Sequence, residues 1–209
     1  MKLAIFGSTG PSGLQLVQQS LDQGHHVTAF ARTPSKLDIT HERLRIVQGD
    51  VLDPEAVQLA VAGHDAVLSA LGAGVWSTVA VREQGTQHII DAMQTHGVKR
   101  LIVLSSYGVG DSYADLPFFV KYVVVPLYLR RAFRDCDAME RVVRSSGVDW
   151  TVTRPPFLTH DEGTGRWHDL DTEPRDGLAF KISRADVATF MLGAVGDSAW
   201  HQRVAAISN

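Results

Sequence analysis

A glycine-rich turn between an apolar run and a helical pattern constrains this chain more than any other feature. Lys2 to Phe6 read as a buried strand, Gly7-Ser8-Thr9-Gly10-Pro11-Ser12-Gly13 as a tight turn, and Leu14, Val17 and Leu21 recur at helical spacing behind it. A strand feeding a helix through such a turn aims the helix's unpaired N–H groups, and the positive end of its dipole, at one point. That point suits a diphosphate. The spacing is G-x-x-G-x-x-G rather than the commoner G-x-G-x-x-G. One glycine allows a backbone angle closed to other residues, one lets the main chain touch phosphate, and one lets helix and strand pack closely. A second strand, His26 to Phe30, follows Gly24 and completes the βαβ setting that a dinucleotide site requires.

The 209 residues suffice for one well-buried domain and are few for two, so a single domain over residues 1–209 is expected. With 44% hydrophobic and 21% charged residues and a net charge of -3, nothing in the composition marks a nucleic-acid or membrane-surface binder. No apolar run reaches the length of a membrane span, and a strand beginning at Lys2 leaves no room for a secretory leader. The single cysteine, Cys136, excludes an internal disulfide and fits a reducing compartment, so a cytoplasmic protein is expected.

Strand and helix signals alternate along most of the chain, which predicts an α/β protein, a doubly wound parallel sheet with helices on both faces. Further strands are predicted at Leu44 to Gln48, Asp65 to Ala70, Leu101 to Leu104 and Val148 to Thr153, with Arg203 to Ile207 as a final edge strand. Helices are expected after Pro54, around Ile89, Ile90 and Met93, along Leu129, Phe133, Cys136, Met139 and Val143, and after a capping box at Ser183 and Asp186. The stretches at about 106–126 and 155–177 lack a clean period and read as substrate loops.

An NAD site usually carries an acidic residue at the end of the second strand, about twenty residues past the glycine turn. Here that place reads Phe30-Ala31-Arg32. A carboxylate would repel a 2′-phosphate, whereas a guanidinium binds one through paired charge-assisted hydrogen bonds, so NADPH is the expected cofactor. Lys36 can add a second charge and Ser8 or Thr9 a hydroxyl, and Asp50 falls near the adenine if the third strand ends at Gln48.

With these pieces in place the chain resembles the biliverdin-IXβ reductase / flavin reductase family, atypical short-chain reductases in a wider group with NmrA-like proteins. The likeness covers nearly the whole length. It rests on Ile5 to Gly13, Val27-Thr28 with Arg32, Gly49-Asp50-Val51-Leu52, Ala62 to Val67, Ser105-Ser106, Ser146-Gly147, Pro155-Pro156, and Ile182-Ser183 with Phe190-Met191-Leu192. The resemblance implies a Rossmann fold and NADPH-dependent reduction of flavins and linear tetrapyrroles. It carries cofactor contacts onto Gly7, Thr9, Gly10, Ser12, Gly13, Arg32, Asp50, Val51, Leu71 and Gly72, with Pro11 inside the same turn. It carries the active-site serine onto Ser106 and the nicotinamide-side prolines onto Pro155 and Pro156. The family's better-known mammalian members have a histidine just after those prolines, where this chain has Phe157. That departure bears on tetrapyrrole specificity more than on the cofactor.

The main branch of short-chain reductases passes a proton through Tyr-x-x-x-Lys, and none of Tyr107, Tyr113, Tyr122 or Tyr128 has a lysine four residues later. Hydride transfer to a flat conjugated acceptor, flavin or biliverdin, with the proton taken from water, fits that lack. Ser105 and Ser106 are expected to donate hydrogen bonds to the nicotinamide or the acceptor. Trp76, Tyr113, Phe118, Phe119, Phe157 and Trp167 are candidate apolar walls, and Arg130, Arg131 and Arg134 candidate attractors of an anionic substrate. The nine histidines show no metal-ligand spacing, and neither a nucleophile elbow nor a Walker lysine is present. A non-catalytic NADP(H) sensor of the NmrA-like kind is the alternative; the missing Tyr-x-x-x-Lys argues against a sugar epimerase or dehydratase.

Overall fold

The central strands alternate their apolar side chains between two helical layers, and this alternation fixes the architecture. The computed structural model describes residues 1–72, 79–173 and 178–209. The first strand, β1 (Lys2–Phe6), lies parallel to β2 (His26–Ala31) on one side and β4 (Ala66–Ser69) on the other, with β3 (Leu44–Gln48) outside β2. Beyond β4 come β5 (Arg100–Leu104) and β6 (Asp149–Arg154), giving the parallel order β3-β2-β1-β4-β5-β6. Leu3 and Ile5 point into one core together with Ile102 and Leu104; Ala4 and Phe6 point into the other with Leu101 and Val103. Period-two alternation explains the division, and strands covered on both faces explain why their sequences run nearly unbroken apolar.

Helices α1 (Pro11–Asp22) and α5 (Arg184–Gly196) cover the first face through Leu16, Val17, Phe190 and Met191. The second is covered by α2 (Pro54–Val61), α3 (Val81–His96) and α4 (Arg130–Ser145), through Val57, Ile89, Met93, Met139 and Val143. This is a single-domain α/β fold with a mostly parallel sheet flanked by helices, a Rossmann fold, as the alternating sequence pattern predicts. Asp53 caps α2 by accepting from Glu55 and Ala56 N–H, and half of the predicted capping box at α5 forms: Ser183 Oγ accepts from Asp186 N at 2.9 Å, while Ser183 N donates to Asn209 Oδ1 and not to Asp186.

The C-terminal third departs from the sequence reading. Strand β10 (Arg203–Ser208) is not an edge strand: it pairs parallel with β6, and β8 (His168–Asp169) closes its far end antiparallel. The connection after β6 is not an open loop either, because β7 (Phe157–Thr159) and β9 (Lys181–Ser183) form a small parallel sheet of their own. Pairs of two or three residues have no sequence period to read, which is why they were missed. Asp186, fully buried, also accepts from the N–H groups of Thr164 (2.8 Å) and Gly165 (2.7 Å), tying that connection to α5. The segment after β5 folds into a 3-10 turn, Gly110–Asp115, and a π-helix, Val120–Leu129, with Pro126 inside it. A five-residue hydrogen-bond step has no apolar signature at helical spacing.

Gly7 has φ +73, and a Cβ there would stand 2.3 Å from the Ala70 carbonyl oxygen. Gly97 ends α3 with nearly the same angle, φ +72, but in open space. Urea unfolding is expected to separate them: Gly97→Ala costs about 1–2 kcal/mol for the backbone angle alone, and Gly7→Ala costs about 3 kcal/mol or more because main chain must also move.

Candidate active site

The glycine turn, the end of β2 and the end of β4 surround one cleft of about 500 Å³ at the C-terminal edge of the sheet. Its floor is built by close approach. A Cβ on Gly13 would lie 2.1 Å from the Gly7 carbonyl oxygen, so α1 can seat directly on the turn only with glycine there. Gly10, the N-cap of α1, supplies no side-chain cap, and the first turn of the helix carries no acidic residue. A Cβ added at Gly10 would meet only the Gly7 oxygen, at 3.4 Å, so the space before the helix end is open. The fold thus leaves that helix end available to an anion.

Arg32 and Lys36 stand on one rim of the cleft, where β2 runs into the turn Pro34–Lys36 anchored by buried Leu37. Among the described residues neither side chain has a carboxylate partner. Two further cations line the cleft that the sequence reading did not assign. Arg82, at the start of α3, is held by Asp135 at 3.4 Å, while Arg184 donates to the Leu158 and Thr159 carbonyls. Asp135 also accepts from the N–H groups of Arg82 and Glu83, capping α3 from another helix. Among the described residues no lining residue is acidic. Four cations and an uncapped helix end, with no carboxylate among the described lining residues, suit a ligand with several phosphates, and the residues present therefore fit a nicotinamide dinucleotide.

Gly7, Thr9, Gly10, Pro11, Ser12, Arg32, Lys36, Val51, Leu71 and Gly72 all line this cleft, and Gly13 lies beneath it. Other expected site residues have different employment. Ser8 is buried and donates its hydroxyl to the Phe30 carbonyl at 2.9 Å, locking the turn to β2 instead of offering a hydroxyl to phosphate. Asp50 accepts from Leu52 N at 3.0 Å in its own turn, and its neighbours Gly49 and Val51 face the cleft. Val51 is held from α3, its carbonyl bonded to the His88 ring at 2.9 Å.

At the other end, Leu104 and Leu158 reach the cleft. Phe157 does not; it is 75% exposed, since successive side chains of β7 point to opposite sides. Pro155 is buried and Pro156 half-buried. Ser106 is half-buried at the end of β5, its hydroxyl 3.2 Å from the Tyr107 carbonyl. Ser105, expected to face cofactor or acceptor, instead donates to Glu140 at 2.6 Å. Glu140 is paired through both oxygens with Arg154, at 2.9 and 2.6 Å, and Arg154 reaches on to Asp111. Burial alone would lower the Arg154 pKa, but hydrogen bonds and charge from Glu140 and Asp111 outweigh it and raise it. Hydrogen bonding to Arg154 in turn lowers the Asp111 pKa.

Of the candidate walls, Trp167 packs edge-on against Phe190 in the core at 5.6 Å, and Tyr113 donates to the Lys121 carbonyl. Phe118 and Phe119 are exposed, Trp76 lies outside the described residues, and Arg130, Arg131 and Arg134 are exposed on α4 away from the cleft lining. Burial pushes the Cys136 thiol up to about 11, which makes it an inert core group, as its place on an apolar stripe implies. Among the described residues no His, Cys, Asp and Glu side chains gather into a metal site, and no helix is long and apolar enough to cross a membrane.

A model of the NAD(P)H-binding family matches residues 7–198. An uncharacterised chloroplastic protein of Arabidopsis thaliana is 28% identical over 204 residues, 93% of this chain and 71% of its own length. Among solved structures, the oxidoreductase ylbE of Lactococcus lactis superposes with a TM-score of 0.85 at 23% identity, over 100% of this chain and 91% of that one. ChuY of Escherichia coli O157:H7, described as an anaerobilin reductase, gives 0.83 at 21%, over 100% and 97%. At these identities the two structures speak for the fold.

The buried pair yields a stability test. Glu140→Ala leaves the Arg154 guanidinium, 3% exposed, without its main counter-charge and is expected to cost about 3–5 kcal/mol in urea unfolding. Asp111→Ala, at a side chain 84% exposed, is expected to cost under about 1 kcal/mol. Because the folded pKa of Asp111 lies below its unfolded value, that small contribution is present above the ordinary carboxylate range and lost only as pH falls through the lowered value.

Proposed function

That this chain belongs to the NAD(P)H-binding family is the premise from which we propose an NADPH-dependent oxidoreductase acting on a flat conjugated acceptor, a flavin (FMN, FAD or riboflavin) or biliverdin. The observation that carries it is the cleft itself, where an uncapped helix N-terminus and two cations face one volume with, among the described residues, no carboxylate partner for either and no lining acid. In this reading the N–H groups at the start of α1 hold the diphosphate, and Arg32 with Lys36 selects the 2′-phosphate. Val51 and Leu71 flank the adenine. Leu104 confines the nicotinamide end from the cleft lining. Pro155, Pro156 and Ser106 are not part of that lining, and their roles rest on the family resemblance: the prolines stand beside the nicotinamide, and the Ser106 hydroxyl turns from the Tyr107 carbonyl toward the carboxamide or the acceptor.

Bound NADPH supplies the hydride; the protein supplies position and field. With no Tyr-x-x-x-Lys pair, the proton comes from water, which a conjugated acceptor tolerates because its negative charge spreads over the ring system. The likeness in fold to ylbE and ChuY is consistent with a reductase, and the family resemblance in sequence favours flavin and tetrapyrrole over a sugar. The commitment of Ser105 to Glu140 leaves a single serine at the reaction end, and this favours a second reading, a non-catalytic NADP(H) sensor.

Two measurements decide. Arg32→Glu is expected to weaken NADPH about 10- to 100-fold and NADH little; equal losses would remove Arg32 from the 2′-phosphate. Mixing protein and NADPH with FMN, then with biliverdin, is expected to bleach the nicotinamide absorbance with at least one acceptor. Tight binding with NADPH unconsumed by either would leave the sensor.

A further inference from the structure

Among the described residues, exposed apolar side chains concentrate outside the cleft. Phe118, Phe119, Tyr122, Leu127 and Tyr128 are exposed; they are half of the ten large hydrophobics exposed among the described residues. Phe118 is 78% and Tyr122 60% exposed, and their rings touch at 4.7 Å, so they form one patch rather than scattered side chains. Val125 is buried and Val120, Val123, Val124 and Leu129 are half-buried, so the π-helix lies on the body of the protein and turns Tyr122, Pro126, Leu127 and Tyr128 outward.

The charge pattern within the segment is one-sided, although exposed Asp111 and Asp115, bonded to Arg154 and to the Tyr107 hydroxyl, stand just before it and Asp135 and Asp137 just after. From Leu116 to Arg134 the chain has four cations, Lys121, Arg130, Arg131 and Arg134, and no Asp or Glu, although the whole chain carries a net charge of -3. Arg130 and Arg134 are exposed, and among the described residues neither has a carboxylate partner. Lys121 leans back over the Tyr113 and Tyr122 rings at 5.2 and 5.9 Å, its stem along apolar surface. Phe157, on the strand that follows β6, is exposed at the same C-terminal edge of the sheet.

Exposed Phe, Leu and Tyr flanked by Lys and Arg is the composition of a segment that lies in the headgroup region of a bilayer, with rings at the acyl boundary and cations on acidic headgroups. The π-helix runs directly into the charged α4, and among the described residues no helix is long and apolar enough to span, so the segment lies in the plane. A second copy is the weaker occupant, because self-pairing of this face brings like charges together with no acid within it to offset them. We propose that Phe118–Arg134 is a peripheral docking surface for an anionic lipid bilayer, which would turn the edge of the sheet where the cleft opens toward the membrane. The net charge of the sequence hides this surface, because acids elsewhere in the chain outnumber its cations.

The test is flotation of the full chain with vesicles of phosphatidylcholine alone and with one-third phosphatidylglycerol, at low and high salt. Flotation with the anionic vesicles, weakened by salt, is expected, with little on the neutral ones. Arg130→Gln/Arg134→Gln, two exposed changes that leave the packing intact, should lower partitioning roughly thirty-fold. Phe118→Ser/Tyr122→Ser/Leu127→Ser should abolish it while far-ultraviolet circular dichroism stays unchanged. No flotation, equal flotation on both vesicles, or indifference to the arginine pair overturns the proposal. So does a dimer in sedimentation velocity that the triple variant dissociates, since the face then belongs to a second copy. NADPH binding reads out separately and does not stand or fall with it.

Discussion

Main chain packed against main chain at Gly7 sets the rest of the structure. A carbonyl from the end of β4 lies where any side chain on Gly7 would be, and the carbonyl of Gly7 lies where any side chain on Gly13 would be. Two strands and the first helix therefore meet with no side chain between them. The meeting point is also where the sheet changes direction: from β1 the chain steps outward to β2 and β3, then returns to the other side as β4. The helices that follow β1 and β4 leave toward opposite faces, and the crevice between them cannot be filled from within. An open crevice and an uncapped helix end at one place are two results of one packing constraint.

Charge is handled in two ways, and the contrast separates structural groups from groups turned toward a ligand. Most buried charged groups among the described residues are answered by an opposite charge or by helix and turn N–H groups; Arg100 is the exception, bonded to the Asp149 and Ala194 carbonyls and the Thr151 hydroxyl with its Nε unpartnered. Glu140 meets Arg154 and Ser105; Asp135 takes two helix N–H groups and Arg82; Asp186 takes the Ser183 hydroxyl and the N–H groups of the 164–165 turn. Leaving any of these unpaired would cost several kcal/mol, roughly a third of a small domain's stability. Arg32, Lys36, Arg130 and Arg134 carry no such constraint and have no carboxylate partner among the described residues. They cluster on two surfaces: the rim of the cleft and the start of α4.

The parts of this architecture legible in the sequence are those that repeat or are local. The turn at residues 7–13, the six central parallel strands, and the Ser183 cap of α5 each lie within a few residues of chain, so one segment carries the whole signal. Ser105, Asp50 and Phe157 misled for the opposite reason. Each occupies the right stretch, but its side-chain direction depends on something the stretch does not contain. Glu140 captures Ser105 from 35 residues away; the Asp50 carboxylate folds back onto its own turn; and a strand of three residues sends Leu158 inward and Phe157 outward. Arg82 and Arg184 gave no signal at all, because a lone arginine at a helix start looks like a solvated one until Asp135 and the β7 carbonyls hold it in place.

The two ends of the cleft therefore differ in what holds them. At the nucleotide end, Gly7, Gly13 and Leu71 are fixed by the central strands, and any change there disturbs the two apolar cores. At the other end, β7, β9 and the 164–166 turn are held partly by apolar packing of Ile182, Leu158 and Trp167 and partly by polar contacts: Asp186 with Thr164 and Gly165, Arg184 with two carbonyls, and Asn209 with Lys181 and Arg166. The contacts of Arg184 and Asn209 contribute about 1 kcal/mol apiece and the buried Asp186 several, so exposed positions of this end tolerate change better than the glycine turn does. The glycine turn is thus tied to the stability of the chain more tightly than the far end of the cleft is. That difference accounts for a turn so plainly written in the sequence beside stretches at 106–126 and 155–177 that show no pattern.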